Sequence, residues 1–125
     1  MSRPASVTQA AQEAEALLVR RLPGARRTTV QAHLHRARAI AADVYRRWQI
    51  GPYQWQVKHL RWYLEQRTNR FEPSARYRYW LTVRVLVIAL DKDADWLPRL
   101  KGRWERPIVT RTDDVGIGRP LKRPT

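Results

Sequence analysis

The chain has 125 residues, with 25 Lys and Arg against 11 Asp and Glu, and a formal net charge of +14. Its length is typical of one domain, and a hydrophobic fraction of 43% with six Trp and five Tyr excludes a disordered polycation. The absence of cysteine excludes disulfides, thiolate zinc sites and a cysteine nucleophile. Because one sign of charge dominates, the composition predicts a polyanionic partner.

Positive charge is concentrated in residues 26–92, which carry fourteen basic and four acidic side chains. The predicted organisation is an N-terminal Ala-rich helix in residues 1–25, a helical DNA-binding domain in residues 26–107 and a flexible basic tail in residues 108–125. Arginine far outnumbers lysine. That excess fits bidentate phosphate or base contacts, and it fits equally a G+C-rich coding sequence.

No membrane or export segment is predicted. The N-terminus lacks an apolar signal core, and the longest apolar run, residues 85–90, is too short to span a bilayer. We therefore expect a soluble cytoplasmic protein, associated with the nucleoid if the source is bacterial.

Two helices are predicted in the first half of the chain. Capping-box spacing at Ser6-Val7-Thr8-Gln9 opens an Ala-rich helix that continues to about Leu22 and either packs on the rest of the chain or lies beside it. A second capping signal, Thr28-x-x-Gln31, precedes apolar residues spaced by threes and fours up to Trp48. This second segment has the strongest helical periodicity in the chain.

A third helix is predicted to start at Pro52 and to run to about Thr68. It has two apolar faces, one with Tyr53, Val57, Leu60 and Leu64 and the other with Trp55, His59 and Trp62. Two apolar faces on one helix indicate either central burial or an exposed aromatic face available for binding.

A fourth helix is predicted from Ser74, as its N-cap after Pro73, to about Asp91. Residues 79–90 are apolar on nearly all sides, so we expect this helix to be central and Arg84 to be partly buried. Because the segment is rich in β-branched residues, a buried strand is the alternative.

The C-terminal third contains one regular pattern. Trp96, Leu100 and Trp104 recur every four residues and are predicted to hold aromatic rings on the core through a short helical or irregular segment. Beyond Pro107 there is no periodicity. Residues 118–120 loosely resemble the Gly-Arg-Pro core of an AT-hook. The elements together predict an all-α fold, a compact bundle of four to five helices with a flexible C-terminal tail.

No motif points to a cofactor, a metal or catalysis. His33 and His35 are two residues apart and point to opposite sides of a helix, which does not suit a metal pair. Asp91, Asp93 and Asp95 fit solvated acids at a helix end better than a cation loop. Phosphate-binding loops and nucleophile elbows are absent from the sequence.

Basic side chains cluster around the end of the third helix and the start of the fourth. A turn and a helix N-terminus in this region suit phosphate, whereas the other interpretation is a solubilising surface of snorkelling arginines. The predicted nucleic-acid-binding residues are Arg46, Arg47, Lys58, Arg61, Arg67, Arg70, Arg76, Arg78 and Arg84.

Three patterns in order suggest a family. They are a helix from Thr28-Thr29 to Trp48, the run Val57-x-x-Leu60-x-x-Tyr63-Leu64, and a long apolar helix that opens with Pro73-Ser74-Ala75-Arg76-Tyr77. Over residues 28–104 the chain resembles the SAM-like core-binding domain of tyrosine recombinases, or phage-type integrases. The resemblance implies a four- or five-helix domain that clamps duplex DNA opposite a catalytic domain.

In the resembled family the catalytic Arg, His and Tyr residues belong to the second domain, and this chain ends too soon to contain it. The expectation is therefore a non-catalytic module whose partners are duplex DNA and possible integrase subunits or a catalytic domain. Two alternatives stay open. One is an RNA-binding protein that stacks Trp55, Trp62 or Tyr77 on unpaired bases, and the other is a basic interaction or inhibitor module of a mobile element.

Overall fold

A computed structural model describes residues 3–21 and 27–105, and this part of the chain is helical without a strand. The all-α prediction is confirmed, and residues 79–90 are helical up to Ala89 rather than a buried strand. The α-helices in the described ranges are α1 (Val7–Arg21), α2 (Arg27–Trp48), α3 (Val57–Trp62), α4 (Pro73–Ala89) and α5 (Asp93–Trp96). Among these helices, none combines the length and the apolar character that crossing a membrane requires.

Helix α1 begins at the predicted cap. The Gln9 amide donates to Ser6 Oγ at 3.1 Å, and Gln9 Oε1 accepts from the Ala5 amide at 3.0 Å. Its buried stripe of Ala10, Ala14, Leu17 and Leu18 packs mainly on α2 and also on α4. This helix is therefore packed into the same core as the rest of the described chain.

Helix α2 buries the apolar positions that its periodicity predicts. Leu34, Ala37, Ile40 and Val44 are each at most 4% exposed. The helix already begins at Arg27, so the predicted cap at Thr28 is wrong and that residue lies in the first turn. The chain leaves the helix through Gln49, whose φ of 57° is unusual for a residue with a side chain.

The predicted third helix is interrupted, so its predicted start at Pro52 is wrong. Pro52–Gln54 forms only a 3-10 turn, because Trp55 adopts an extended backbone with its side chain buried in the core. Helix α3 then starts at Val57 and continues into a π-helical turn, Tyr63–Arg67, and a 3-10 turn, Thr68–Arg70. The wider π turn shifts the side chains that follow Trp62 from α-helical spacing.

Helix α4 has Pro73 at its first position and the extended Glu72 as its N-cap, so the prediction of Ser74 as the cap is wrong. Its buried residues include Trp80, Val83 and Leu86, and it packs against α1, α2 and α5. Tertiary packing thus overrides the β propensity of this segment. Arg84 is exposed, contrary to the partial burial expected for it.

The predicted aromatic attachment after α4 is confirmed. Trp96, Leu100 and Trp104 are all buried, and Trp104 Nε1 donates to the Leu100 carbonyl at 2.6 Å. A Cβ on Gly102 would lie 2.4 Å from the Trp104 ring, so glycine is required for this close approach. The predicted boundary at residues 25/26, the tail of residues 108–125 and its AT-hook-like sequence lie outside the described residues.

Candidate nucleic-acid interface

Arg61 is one of two arginines that were predicted to bind nucleic acid but form hydrogen bonds within the fold. Its Nη1 donates to the carbonyls of Arg99 and Lys101 at 2.8 and 3.3 Å, and its Nε donates to Glu65 at 3.1 Å. The guanidinium carbon also lies 5.6 Å from the centre of the Trp104 ring. Arg61 therefore ties α3 to the C-terminal segment.

Arg76 does the same from α4. Its Nη2 donates to the Leu64 carbonyl at 2.9 Å, its Nε donates to Thr68 Oγ1 at 3.0 Å, and its guanidinium carbon lies 5.5 Å from the Trp104 ring. The Thr68 hydroxyl donates to the same Leu64 carbonyl at 2.6 Å. Since the π turn starts beside Leu64, these contacts satisfy a backbone acceptor at an irregular point of the helix.

A second group of arginines surrounds Asp43 on α2. Asp43 Oδ1 accepts from Arg46 at 3.1 Å, and Oδ2 accepts from Arg67 at 3.4 Å. These three residues line a groove of about 230 Å³ together with Arg47 and Trp62. The Asp43 side chain is 18% exposed, whereas Arg46 and Arg67 are 63% and 45% exposed. Both arginine side chains are thus accessible to a ligand.

The aromatic ring that lines this groove, Trp62, packs against Trp48. The Arg47 guanidinium carbon lies 4.9 Å from the Trp48 ring centre, and the Trp48 ring meets Trp62 edge to face at 4.9 Å. Trp62 and Trp48 are partly buried, whereas Trp55 is 5% exposed. Of the two tryptophans on the second apolar face predicted for the third helix, Trp55 is therefore buried in the core, whereas Trp62 lines the groove.

The same surface continues from the groove onto α4. The Tyr63 ring connects the two, because its centre lies 6.5 Å from that of Trp62 and 6.0 Å from that of Tyr79 on α4. The charge of Arg78 lowers the pKa of Arg36. The Tyr79 ring centre is 5.1 Å from that of Phe71, which is 36% exposed. We call this the α2 basic-aromatic surface and define it by Arg36, Asp43, Arg46, Arg47, Trp62, Arg67, Phe71, Arg78 and Tyr79. It contains five guanidinium groups and one carboxylate, so its charge is positive.

Burial changes the titration of groups along this surface. It raises the pKa of Tyr79, an effect that Arg36 opposes and Asp43 reinforces. Burial lowers the pKa of Arg36, which Tyr79 opposes and Arg78 reinforces, and the guanidinium stays charged at neutral pH. The pKa of Tyr63 rises well above its usual range, mainly because of burial. Both tyrosines are therefore neutral hydroxyls at physiological pH.

His33 belongs to a polar cluster beneath this surface rather than to a metal site. Its Nδ1 lies 2.9 Å from Thr82 Oγ1, which accepts from Arg36 Nε at 2.7 Å. Burial and the Arg36 charge lower the pKa of His33. Within residues 3–21 and 27–105, no three His, Asp or Glu side chains are grouped to hold a metal ion.

The remaining predicted residues are exposed, and no hydrogen bond or ion pair of their side chains is seen within the described ranges. Arg70 immediately precedes Phe71 and so lies next to the α2 basic-aromatic surface. Lys58 is in the first turn of α3. Arg84 lines a different depression, which it shares with Asp93, Lys101 and Glu105.

The structure thus brings Arg46, Arg47 and Arg67 to one groove, and the charge of Arg78 affects Arg36 on the same helix as Arg46. Arg61, Arg76 and Arg84 line other depressions. The sequence interpretation missed Arg36, Phe71 and Tyr79. Helical spacing was the available signal for Arg36, because Arg36, Asp43 and Arg47 follow one another at intervals of seven and four on α2. Nothing in the sequence indicates that α4 lies beside that face.

The predicted likeness to tyrosine recombinase core-binding domains has only the sequence patterns in its favour. Comparisons with protein-family models, with curated proteins and with solved structures each found no match to this chain.

Proposed function

We propose that this chain is a non-catalytic DNA-binding module that holds duplex phosphates through the α2 basic-aromatic surface. The observation that carries the proposal is the meeting of Arg46, Arg47 and Arg67, from α2 and the π turn, at one groove, with the Arg78 charge close enough to affect Arg36 on α2. Guanidinium groups bind phosphate oxygens in bidentate geometry, and neutralising phosphates releases counterions from DNA. This surface offers both the charge and the donors that such binding needs.

The hydrogen bonding within the surface favours ligand exchange. Arg46 and Arg67 each give the Asp43 carboxylate one hydrogen bond, whereas a guanidinium carries five N–H donors. Both ion pairs are solvent-exposed on the arginine side and contribute little to stability. A phosphate can therefore bind the remaining donors without the loss of a buried interaction.

The resemblance to recombinase core-binding domains adds a more specific proposal. In that setting this chain binds one side of a duplex, and a catalytic domain or other integrase subunits bind beside it.

The test compares duplex binding by Arg47→Ala/Arg78→Ala with that of the unaltered chain over a range of salt concentrations. Each lost phosphate contact lowers the slope of log K against log salt by about one, so the double variant should lose about two and bind at least tenfold more weakly at low salt. Arg84→Ala/Arg103→Ala is the control, because it also removes two charges and both residues are exposed and line other depressions.

Equal losses in the two double variants would show that binding follows net charge alone. An affinity that does not change between low and moderate salt would contradict phosphate binding altogether.

A further inference from the structure

The groove beside Trp62 differs from the rest of the basic surface, because it combines an aromatic wall with three arginines and a carboxylate. We infer that it takes one unpaired nucleobase of a bound DNA, with the adjoining phosphate on Arg46 and Arg67. The inference rests on the proposed function and names the form of DNA that this surface prefers.

The size of the groove argues for one planar group. Its volume of about 230 Å³ is below the range of roughly 300–1,000 Å³ typical of sites for drug-sized ligands. A fully paired duplex keeps its bases stacked and out of reach of such a groove. A single base outside the stack fits it and brings its own phosphate to the rim.

The aromatic wall supplies the attraction for the base. Trp62 is partly buried, held edge to face against Trp48, so its ring is fixed in orientation before a ligand arrives. Bases stack on such rings in a way that tolerates any sequence. A fixed ring loses little conformational freedom on binding, which favours affinity.

Asp43 lines the groove and can supply a polar contact to the nucleobase. Each of its carboxylate oxygens accepts one hydrogen bond, from Arg46 or from Arg67, and a carboxylate oxygen has capacity for a second. Asp43 can therefore accept from the ring N–H or amino group of a base while it still positions both arginines. This contact favours bases that present such donors, guanine among them.

The experiment compares a fully paired duplex with the same duplex carrying one bulged nucleotide. Stacking of one base is expected to make the bulged duplex bind about tenfold more tightly. Trp62→Leu should abolish this preference, because it should weaken binding of the bulged duplex about tenfold more than binding of the paired duplex. Trp62→Phe keeps an aromatic ring and should retain most of the preference.

A second measurement does not depend on the leucine variant folding. With 2-aminopurine as the bulged base, binding by the unaltered chain should strongly quench its fluorescence, because the base stacks on an indole ring. Equal affinity for the two duplexes, or unquenched 2-aminopurine in the complex, overturns the inference while leaving duplex binding intact. Failure to bind either duplex at low salt overturns the proposed function instead.

Discussion

Two groups of arginines in this molecule look alike in sequence and behave differently in the fold. Arg61 and Arg76 both lie against the Trp104 ring and donate to backbone carbonyls of Leu64, Arg99 and Lys101. Arg46 and Arg67 share the Asp43 carboxylate, and Arg47 packs over the Trp48 ring.

The difference shows how a guanidinium group can serve either the fold or a ligand. Where its donors meet backbone carbonyls within the fold, removing it takes those hydrogen bonds from the folded state. Where the arginine side chain is itself solvent-exposed, as in the pairs of Arg46 and Arg67 with Asp43, the ion pair is weak and water or phosphate can replace it. A basic-aromatic sequence therefore does not by itself distinguish a binding face from a cross-link within the core.

The largest expected effect is on stability, and it tests whether Arg76 serves the fold rather than a ligand. Arg76→Ala should lower the free energy of unfolding by about 3 kcal/mol, because it removes two charged hydrogen bonds and a contact with Trp104. Urea unfolding measures this change.

Arg78→Ala is the matched control, since Arg78 lies two residues further along α4 and is exposed. It should change stability by no more than about 0.5 kcal/mol. Similar losses in the two variants would refute the distinction between internal and surface arginines.

A second variant tests whether the arginines around Asp43 are available to bind DNA. Asp43→Asn removes the single carboxylate from the α2 basic-aromatic surface, so duplex affinity at low salt should rise about threefold to tenfold. Stability should fall by about 1 kcal/mol or less, because both ion pairs are largely solvated. Fluorescence anisotropy with labelled duplex measures the affinity. A loss of affinity would mean that Asp43 positions the arginines more than it competes for them.

Backbone strain at the end of α2 offers a change that should affect stability alone. Gln49 has a φ of 57°, a conformation that disfavours residues with a Cβ by about 1 kcal/mol. Gln49→Gly should therefore raise the free energy of unfolding by up to about 1 kcal/mol, less the weak bond from Gln49 Nε2 to the Arg46 carbonyl. Thermal unfolding tests this, and duplex affinity should stay constant.

The pH dependence of stability probes the cluster beneath the surface. Burial, with the nearby Arg36 or Lys58 charge, lowers the pKa of His33 and of His59. As pH falls below about 6.5, the unfolded chain takes up protons before the folded chain does, so stability falls between pH 6.5 and the lowered folded values. Above pH 6.5 these two groups should leave stability unchanged.

Unfolding free energies measured at pH 7.5 and 5.5 test this expectation. His33→Asn should reduce the difference, and His35→Asn, at an exposed position of the same helix, serves as the control. Greater stability at pH 5.5 than at pH 7.5 would contradict a lowered pKa of His33 in the folded chain.

Much of the fold was accessible from local patterns. The capping box at Ser6, the periodicity of α2 and the four-residue spacing of Trp96, Leu100 and Trp104 each predicted what the structure contains. The errors lie where backbone geometry depends on distant contacts. Pro52 opens only a 3-10 turn because Trp55 turns into the core, and the π turn after Trp62 is stabilised by Arg76 from another helix.

The sequence by itself determined an all-α chain with a buried aromatic core and a one-sided charge, because helical periodicity and composition are local properties. Only the tertiary structure decided which arginines remain open to a ligand. The carbonyls that accept hydrogen bonds from Arg61 lie up to 40 residues away in sequence, and those that accept from Arg76 lie up to 12 residues away. Neighbouring residues therefore do not reveal that these two guanidinium groups are hydrogen-bonded within the fold. The meeting of α2, the π turn and α4 at Asp43 and Tyr79 is likewise a consequence of packing between helices.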